Sequence, residues 1–286
     1  MMKTNMLLFF TVSALTLTVL QAKENASHVS DEVIAGQRGE LAKNTEGKGF
    51  GPQAPRDIDS PGGNNPIKYS MAPDYTEMHL CNIHFHKNAE HKGGEFTTYA
   101  GNGDGKGYQS GYKYSGTLTE AELKPYEGEV CPSEHGALMS GDTIEVHYVH
   151  STAAITPGHT LAACLHDSVH NPQLRVEAQV YVLVNDESAL DFNQLAQHGK
   201  KNGFQQAPNI PDNTGTPVQY TGSTTGPGYN TKGSPFKVSW SVRPKVAKLN
   251  IASVGKWCEG NVFKEDHAHG VRNLVMNPDL LSKIRQ

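Results

Sequence analysis

Cys81-Asn82-Ile83-His84-Phe85-His86 alternates polar and apolar side chains, with Ile83 and Phe85 set between Asn82, His84 and His86. A period of two is the pattern of a β-strand, in which residues two apart point to the same face. The stretch therefore predicts a strand that projects His84 and His86 together. Two adjacent imidazoles are most of a metal site, yet a lone H-x-H in a chain with 14 histidines is more often an ordinary hydrogen-bonded pair. A third ligand, and polar partners for the rings, decide between the two.

Thr143-Ile144-Glu145-Val146-His147-Tyr148-Val149-His150 is a second alternating stretch. As a strand it places Glu145 and His147 on one face and Val146, Tyr148 and His150 on the other. If the two strands lie side by side, His84, His86 and His147 make up the three neutral imidazoles of a catalytic zinc site, which keeps one position open. Asn82 precedes His84 by two and Glu145 precedes His147 by two. Each can reach the far nitrogen of its ring and fix the tautomer.

Further strands are expected at Val176 to Val184 and Phe236 to Val242. Asp186 to Lys201, with Ala189, Phe192, Leu195 and Ala196 as an apolar stripe ahead of Gly203, predicts the one good helix. The tail after Gly270 is expected to hold a short terminal helix. The run Gly101-Asn102-Gly103-Asp104-Gly105-Lys106-Gly107 lacks the G-K-[ST] ending of a phosphate loop and reads as a hairpin or surface loop. Pro208 to Gly233 reads as loop. The fold class that follows is mainly β with short peripheral helices, in a single domain.

The 286 residues carry a formal charge of -4. After Lys3, the apolar run Met6 to Leu20 and the small residue Ala22 have the layout of a secretory signal peptide, residues 1-22. Residues 23-70, rich in Gly, Asn, Pro and charge, are expected to be irregular, and 71-286 to form the main domain. The mildly acidic mature chain gives no reason to expect nucleic acid or an anionic membrane as partner. It is expected in the periplasm or secreted. Cys81, Cys131, Cys164 and Cys258 suit two disulfides in any of three connectivities.

Ile83-His84-Phe85-His86, then Ala89-Glu90-His91, then Ile144-Glu145-Val146-His147-Tyr148-Val149-His150 resemble, in that order, the H-x-H, S-E-H and E-x-H-x-V-H motifs of the α-type carbonic anhydrases. Tyr220-Thr221-Gly222-Ser223-Thr224-Thr225-Gly226-Pro227 is similar to that family's Y-x-G-S-x-T-T-P-P segment. The exported chain, the unusual spacing and the cysteine-bearing strand look closest to the δ-class (diatom-type) enzymes and their bacterial relatives. The resemblance implies a largely antiparallel central sheet with the site in a conical cleft. It implies zinc on His84, His86 and His147, with Asn82 and Glu145 behind the ligands; the sequence leaves substitution by cobalt or cadmium open. It further implies carbon dioxide and bicarbonate as substrate and product, interconverted by zinc-bound hydroxide against an apolar wall that includes Val149 or Val180 to Val184. Aligned without a gap, Thr225 accepts a hydrogen bond from that hydroxide and Glu90 orients Thr225; a one-residue gap puts Thr224 in the role. Gly226 stands where the family has its second threonine. His79, His91, His135, His150, His159, His166 and His170 are all candidates for a proton shuttle.

Two other classes compete. His84-x-His86-x-x-x-Glu90 also has the spacing of a cupin half-motif, which would make Glu90 a ligand in an iron or manganese oxygenase or isomerase. A non-catalytic exported metal-binding protein would draw instead on the histidine content and on Glu265-Asp266-His267-Ala268-His269, a cluster that is more often a solvated polar turn.

Overall fold

The computed structural model describes residues 28–284, so the expected signal peptide lies outside the described residues. In chain order the elements are α1 (Asp31–Thr45), β1 (His79–Lys87), β2 (Thr98–Asn102), β3 (Ser110–Lys113), β4 (Thr143–Ser151), β5 (Leu174–Val184), α2 (Phe192–Leu195), β6 (Gly199–Lys201), β7 (Phe204–Gln206), β8 (Val218–Ser223), β9 (Lys237–Val242), β10 (Ala247–Asn250) and α3 (Ile251–Cys258). A central sheet runs β1-β4-β5-β9-β8, with β10 also paired to β5. The β1/β4, β4/β5 and β8/β9 pairs are antiparallel, whereas β9 and β10 both run parallel to β5. The molecule is mainly β as expected, but the sheet is mixed.

The central strands earn their place by burial. Every residue of β4 and β5 is buried. On one face Leu80, Ile83 and Phe85 of β1 join Ile144, Val146 and Tyr148 of β4, and pack against Phe192 of α2 and Trp257 of α3. Burying each such side chain contributes roughly 1.5–3 kcal/mol. That face fixes the other. A slip of one residue would turn Ile83 and Phe85 out of this core and the imidazoles into it. A break in the β1/β4 register between Leu80 and Asn82 adjusts the phase at the start of the strand, leaving Asn82, His84 and His86 on the face opposite the core.

Three expectations about helices fail. The segment 23-70 contains a 15-residue helix, α1. It buries few apolar side chains, chiefly Ile34 and Leu41, and is otherwise held by polar contacts such as Gln37 Nε2 to the Gly105 carbonyl (2.7 Å) and Asn273 Nδ2 to Gln37 Oε1 (2.6 Å). A helix fixed this way has no apolar stripe to detect. Conversely, Asp186 to Lys201 yields only the single turn α2, capped by Asp191 on Asn193 N. Asp186 instead ties up Ser188 in a local turn, and the chain leaves through Gly199 into the β6/β7 hairpin. Phe192, Leu195 and Ala196 are core residues without a long helix. The tail after Gly270 has no regular element among the described residues, only a turn at 278–280 and isolated bridges at Leu281 and Lys283, and forms no helix there.

The cysteines pair as Cys81–Cys164 and Cys131–Cys258. Gly222 in β8 allows a close approach: a Cβ there would lie 2.6 Å from Ala54 Cα. The Pro52–Ala54 backbone runs against β8, with Ser223 N donating to Pro52 O and Ala54 N to Ser223 O. No helix among the described residues is long and apolar enough to cross a membrane.

Candidate metal centre

Adjacent strands bring the three imidazoles together. His84 lies directly across from His147 in the β1/β4 register, and His86 across from Glu145. One ligand atom from each of His84, His86 and His147 falls within 4.8 Å of the others, with His84 Nε2 and His147 Nδ1 3.3 Å apart.

Each ring is held from behind by an acceptor. Asn82 Oδ1 lies 2.6 Å from His84 Nδ1, and its amide nitrogen is committed to the Gly158 carbonyl at 3.0 Å. The Gly270 carbonyl accepts from His86 Nδ1 at 2.9 Å. Glu145 Oε1 accepts from His147 Nε2 at 2.9 Å. These acceptors place the ring hydrogens on the rear nitrogens, so the facing nitrogens are lone pairs. Three converging lone pairs are repulsive unless a cation takes them, and the donor set fits a metal ion.

For His84 and His86 the electrostatics agree with neutral rings. Burial, reinforced by the neighbouring His147, pushes the pKa of His84 well below the usual imidazole value. Burial is also the main influence on His86, which is brought down to about 4. For Glu145 burial acts upward, but His91 and His147 beside it, with the hydrogen bonds they donate, outweigh it and hold the carboxyl well below its ordinary range. His91, Glu145 and His147 form a second close group, but both His91 nitrogens are engaged, Nδ1 with Glu145 at 2.5 Å and Nε2 with Tyr220 Oη at 2.6 Å. This is a buried hydrogen-bond chain that aims Glu145.

The imidazoles open into a cavity of about 290 Å³. Val149, Leu161, Leu174, Val176, Val238 and Trp240 form an apolar wall. Val180 and Val182–Val184 lie in the packed interior and do not line it, so of the expected apolar residues Val149 alone does. Thr224, Thr225, Arg56 and Glu90 give the cavity a polar lining as well.

Here the arrangement departs from the implied one. Glu90 makes no bond to Thr225, whose Oγ1 is buried without a partner. Its carboxylate instead accepts from Arg272 N at 3.1 Å and faces Arg56 Nη2 at 3.2 Å. Arg56 Nη2 in turn donates to Thr224 Oγ1. Burial raises the Glu90 pKa, but Arg56 and then His86 outweigh it and the net shift is downward. Glu90 is also absent from the close ligand groups among the described residues, so the cupin ligand set does not assemble.

None of the seven shuttle candidates lines the cavity. His91 and His150 are fully buried, and His135 stacks on Tyr108. His269 does line it, with Nε2 2.6 Å from Glu265 Oε2 and its ring 5.5 Å from that of His84. The turn Glu265–His269 is thus not simply solvated: His269 pairs its backbone with Phe85 and Lys87 of β1. Only its neighbour in space, not in sequence, reveals that.

A family profile described as delta carbonic anhydrase matches residues 75–253, more than half of the chain. No curated protein sequence matches the chain. Among solved structures, the Photobacterium profundum alpha-carbonic anhydrase is similar at 19% identity with a TM-score of 0.28, over 80% of this chain and 88% of that one. The Thermovibrio ammonificans alpha-carbonic anhydrase, solved with sulfanilamide, is similar at 15% identity with a TM-score of 0.27, over 78% and 84%. Likenesses this distant carry no weight beside the family match.

Proposed function

The chain belongs to the delta carbonic anhydrase family, and on that premise we propose that it hydrates carbon dioxide reversibly to bicarbonate and a proton at a zinc ion held by His84, His86 and His147. The observation that carries this reading is the convergence of three imidazole lone pairs, each fixed from behind, beside an apolar wall. Bound zinc would supply Lewis acidity, bringing a coordinated water to a pKa of about 7, a general figure for which carbonic anhydrase is itself the standard example.

The protein's own residues do the rest. Asn82 and Glu145 hold His84 and His147 in the metal-accepting tautomer. Val149, Val176, Val238 and Trp240 accept an uncharged linear molecule and offer nothing to a charged product, which favours release of bicarbonate. Thr225, with a hydroxyl that no protein group occupies, is the side chain available to orient the reacting oxygen, and Thr224 and Glu90 act on the same side of the cavity. Residues 71-286 make up the catalytic domain, to which the segment around Arg56 adds a side chain. The two disulfides support export to the periplasm or beyond.

Metal analysis with variants tests the ligand set. The wild type is expected to hold about one zinc per chain, and to accept cobalt or cadmium in its place; His147→Ala loses the metal and Glu90→Gln keeps it. Loss of metal in Glu90→Gln with retention in His147→Ala would instead favour the cupin reading.

A further inference from the structure

Arg56 enters the cavity from the segment Pro52–Asp57, far in sequence from the histidine strands, and only 2% of it is exposed. Its backbone is left-handed, with φ 58°, a conformation an arginine keeps only where its surroundings hold it there. Gly222 provides part of that hold by letting Ala54 approach β8. The guanidinium is tied down on several sides: Nη1 donates to Arg272 O at 3.3 Å, and Nη2 meets Glu90 Oε2 at 3.2 Å and Thr225 O at 3.4 Å.

The consequence lies at Thr224. A guanidinium has donors only, so Thr224 Oγ1 must accept from Arg56 Nη2. A threonine bonded directly to Glu90 would spend its hydrogen on the carboxylate. Thr224, bonded to the arginine, keeps its hydrogen, and no protein acceptor among the described residues takes it. Thr224 lines the cavity, so that hydrogen is available to an acceptor within it.

We propose that Arg56 is a positioning residue which reverses the polarity of Thr224, making its hydroxyl a donor to an anionic oxygen of bicarbonate in the cavity. Glu90 acts one step further back by holding the guanidinium. The inference rests on the carbonic anhydrase reading above and adds a division of labour to it. Thr224 donates, whereas Thr225, with its hydroxyl unoccupied, can accept.

A thermodynamic cycle tests this with a readout separate from turnover: broadening of the carbon-13 bicarbonate resonance by cobalt-loaded protein, which reports affinity, alongside metal content and the bicarbonate KM against kcat. Removing Arg56 alone would strand the buried Glu90 carboxylate, so the background variant is Arg56→Met with Glu90→Gln, which removes both charges. Thr224→Val is expected to weaken bicarbonate binding about tenfold, the loss of one hydrogen bond to a charged acceptor. Thr224→Ser should bind as the wild type does. The Arg56/Glu90 background should lose a similar factor, and adding Thr224→Val to it should cost nothing more, with about one metal per chain throughout. Independent, multiplying losses would overturn the proposal, as would unchanged affinity in Thr224→Val, in a protein that hydrates carbon dioxide. A metal-loaded wild type that neither hydrates carbon dioxide nor binds bicarbonate would overturn the carbonic anhydrase reading, and this inference with it.

Discussion

The two polar sides of the cavity are built by different means. The histidine side stands on regular strands: Asn82 and His84, and Glu145 and His147, are partners two residues apart, and cross-strand register sets His84 against His147. The arginine side is assembled from loops. Arg56 meets Thr224 across 168 residues, and Arg272 meets Glu90 across 182. A pleated strand makes a pair from a local repeat, whereas a loop constellation exists only once the whole chain has folded. The first kind of site tolerates little change in any one member; the second distributes its role over a network.

Substitutions can break or sharpen that contrast. The largest effect is expected for His147→Ala, which removes a ligand from the rigid side: bound metal and hydration activity both fall to background, checked by metal analysis and a pH-indicator assay. Glu145→Gln leaves the ligands in place but loosens His147, and metal affinity should drop 10–100-fold in competition with a chelator. Glu90→Gln, on the loop side, should leave metal affinity within a few fold. Equal losses for the two carboxylates would erase the distinction between the sides.

The next expected effect joins stability to the strand side. Cys81 precedes Asn82, and Gly158, which accepts from Asn82, also donates its N–H to Cys81 O at 2.9 Å. Replacing Cys81 and Cys164 by serine should cost roughly 2–4 kcal/mol in urea unfolding and lower metal affinity through Asn82. The corresponding change at the Cys131–Cys258 disulfide, which ties the 131 segment to the end of α3 and not to the loop that holds Asn82, should lower stability alone.

The smallest expected effect is a pH dependence. Burial brings His150 down to about 3, below its value in the unfolded chain. The unfolded chain therefore binds the proton first as pH falls. Stability is complete above about pH 6.5 and is lost on acidification toward about pH 3, with this one group taking about 2 kcal/mol between pH 7 and 5. His150→Phe should flatten the urea-derived pH profile of the metal-free protein by that amount.

These differences also explain what was legible beforehand. His84, His86 and His147, with Asn82 and Glu145, follow from a period of two and need only the pairing of two strands. Gly270, which holds His86, and Arg56, which holds Thr224, carry no local signal, because each acts through a long-range contact. The same holds for α1, which relies on polar contacts with residues 105 and 273. For Asp186 to Lys201 the fault was the opposite one: the apolar spacing was real, and Phe192 and Leu195 are core residues, but local capping by Asp186 and Asp191 divides the stretch before a long helix forms. His269 stood in a polar cluster whose composition alone suggests solvent, and its pairing beside β1 places it at the cavity.

Stopped-flow measurement of carbon dioxide hydration by the metal-replete protein tests the central claim most directly. The account predicts acceleration well above the uncatalysed rate in protein holding about one zinc per chain, abolished in His147→Ala. Zinc-loaded, folded protein that leaves the hydration rate at background would contradict it.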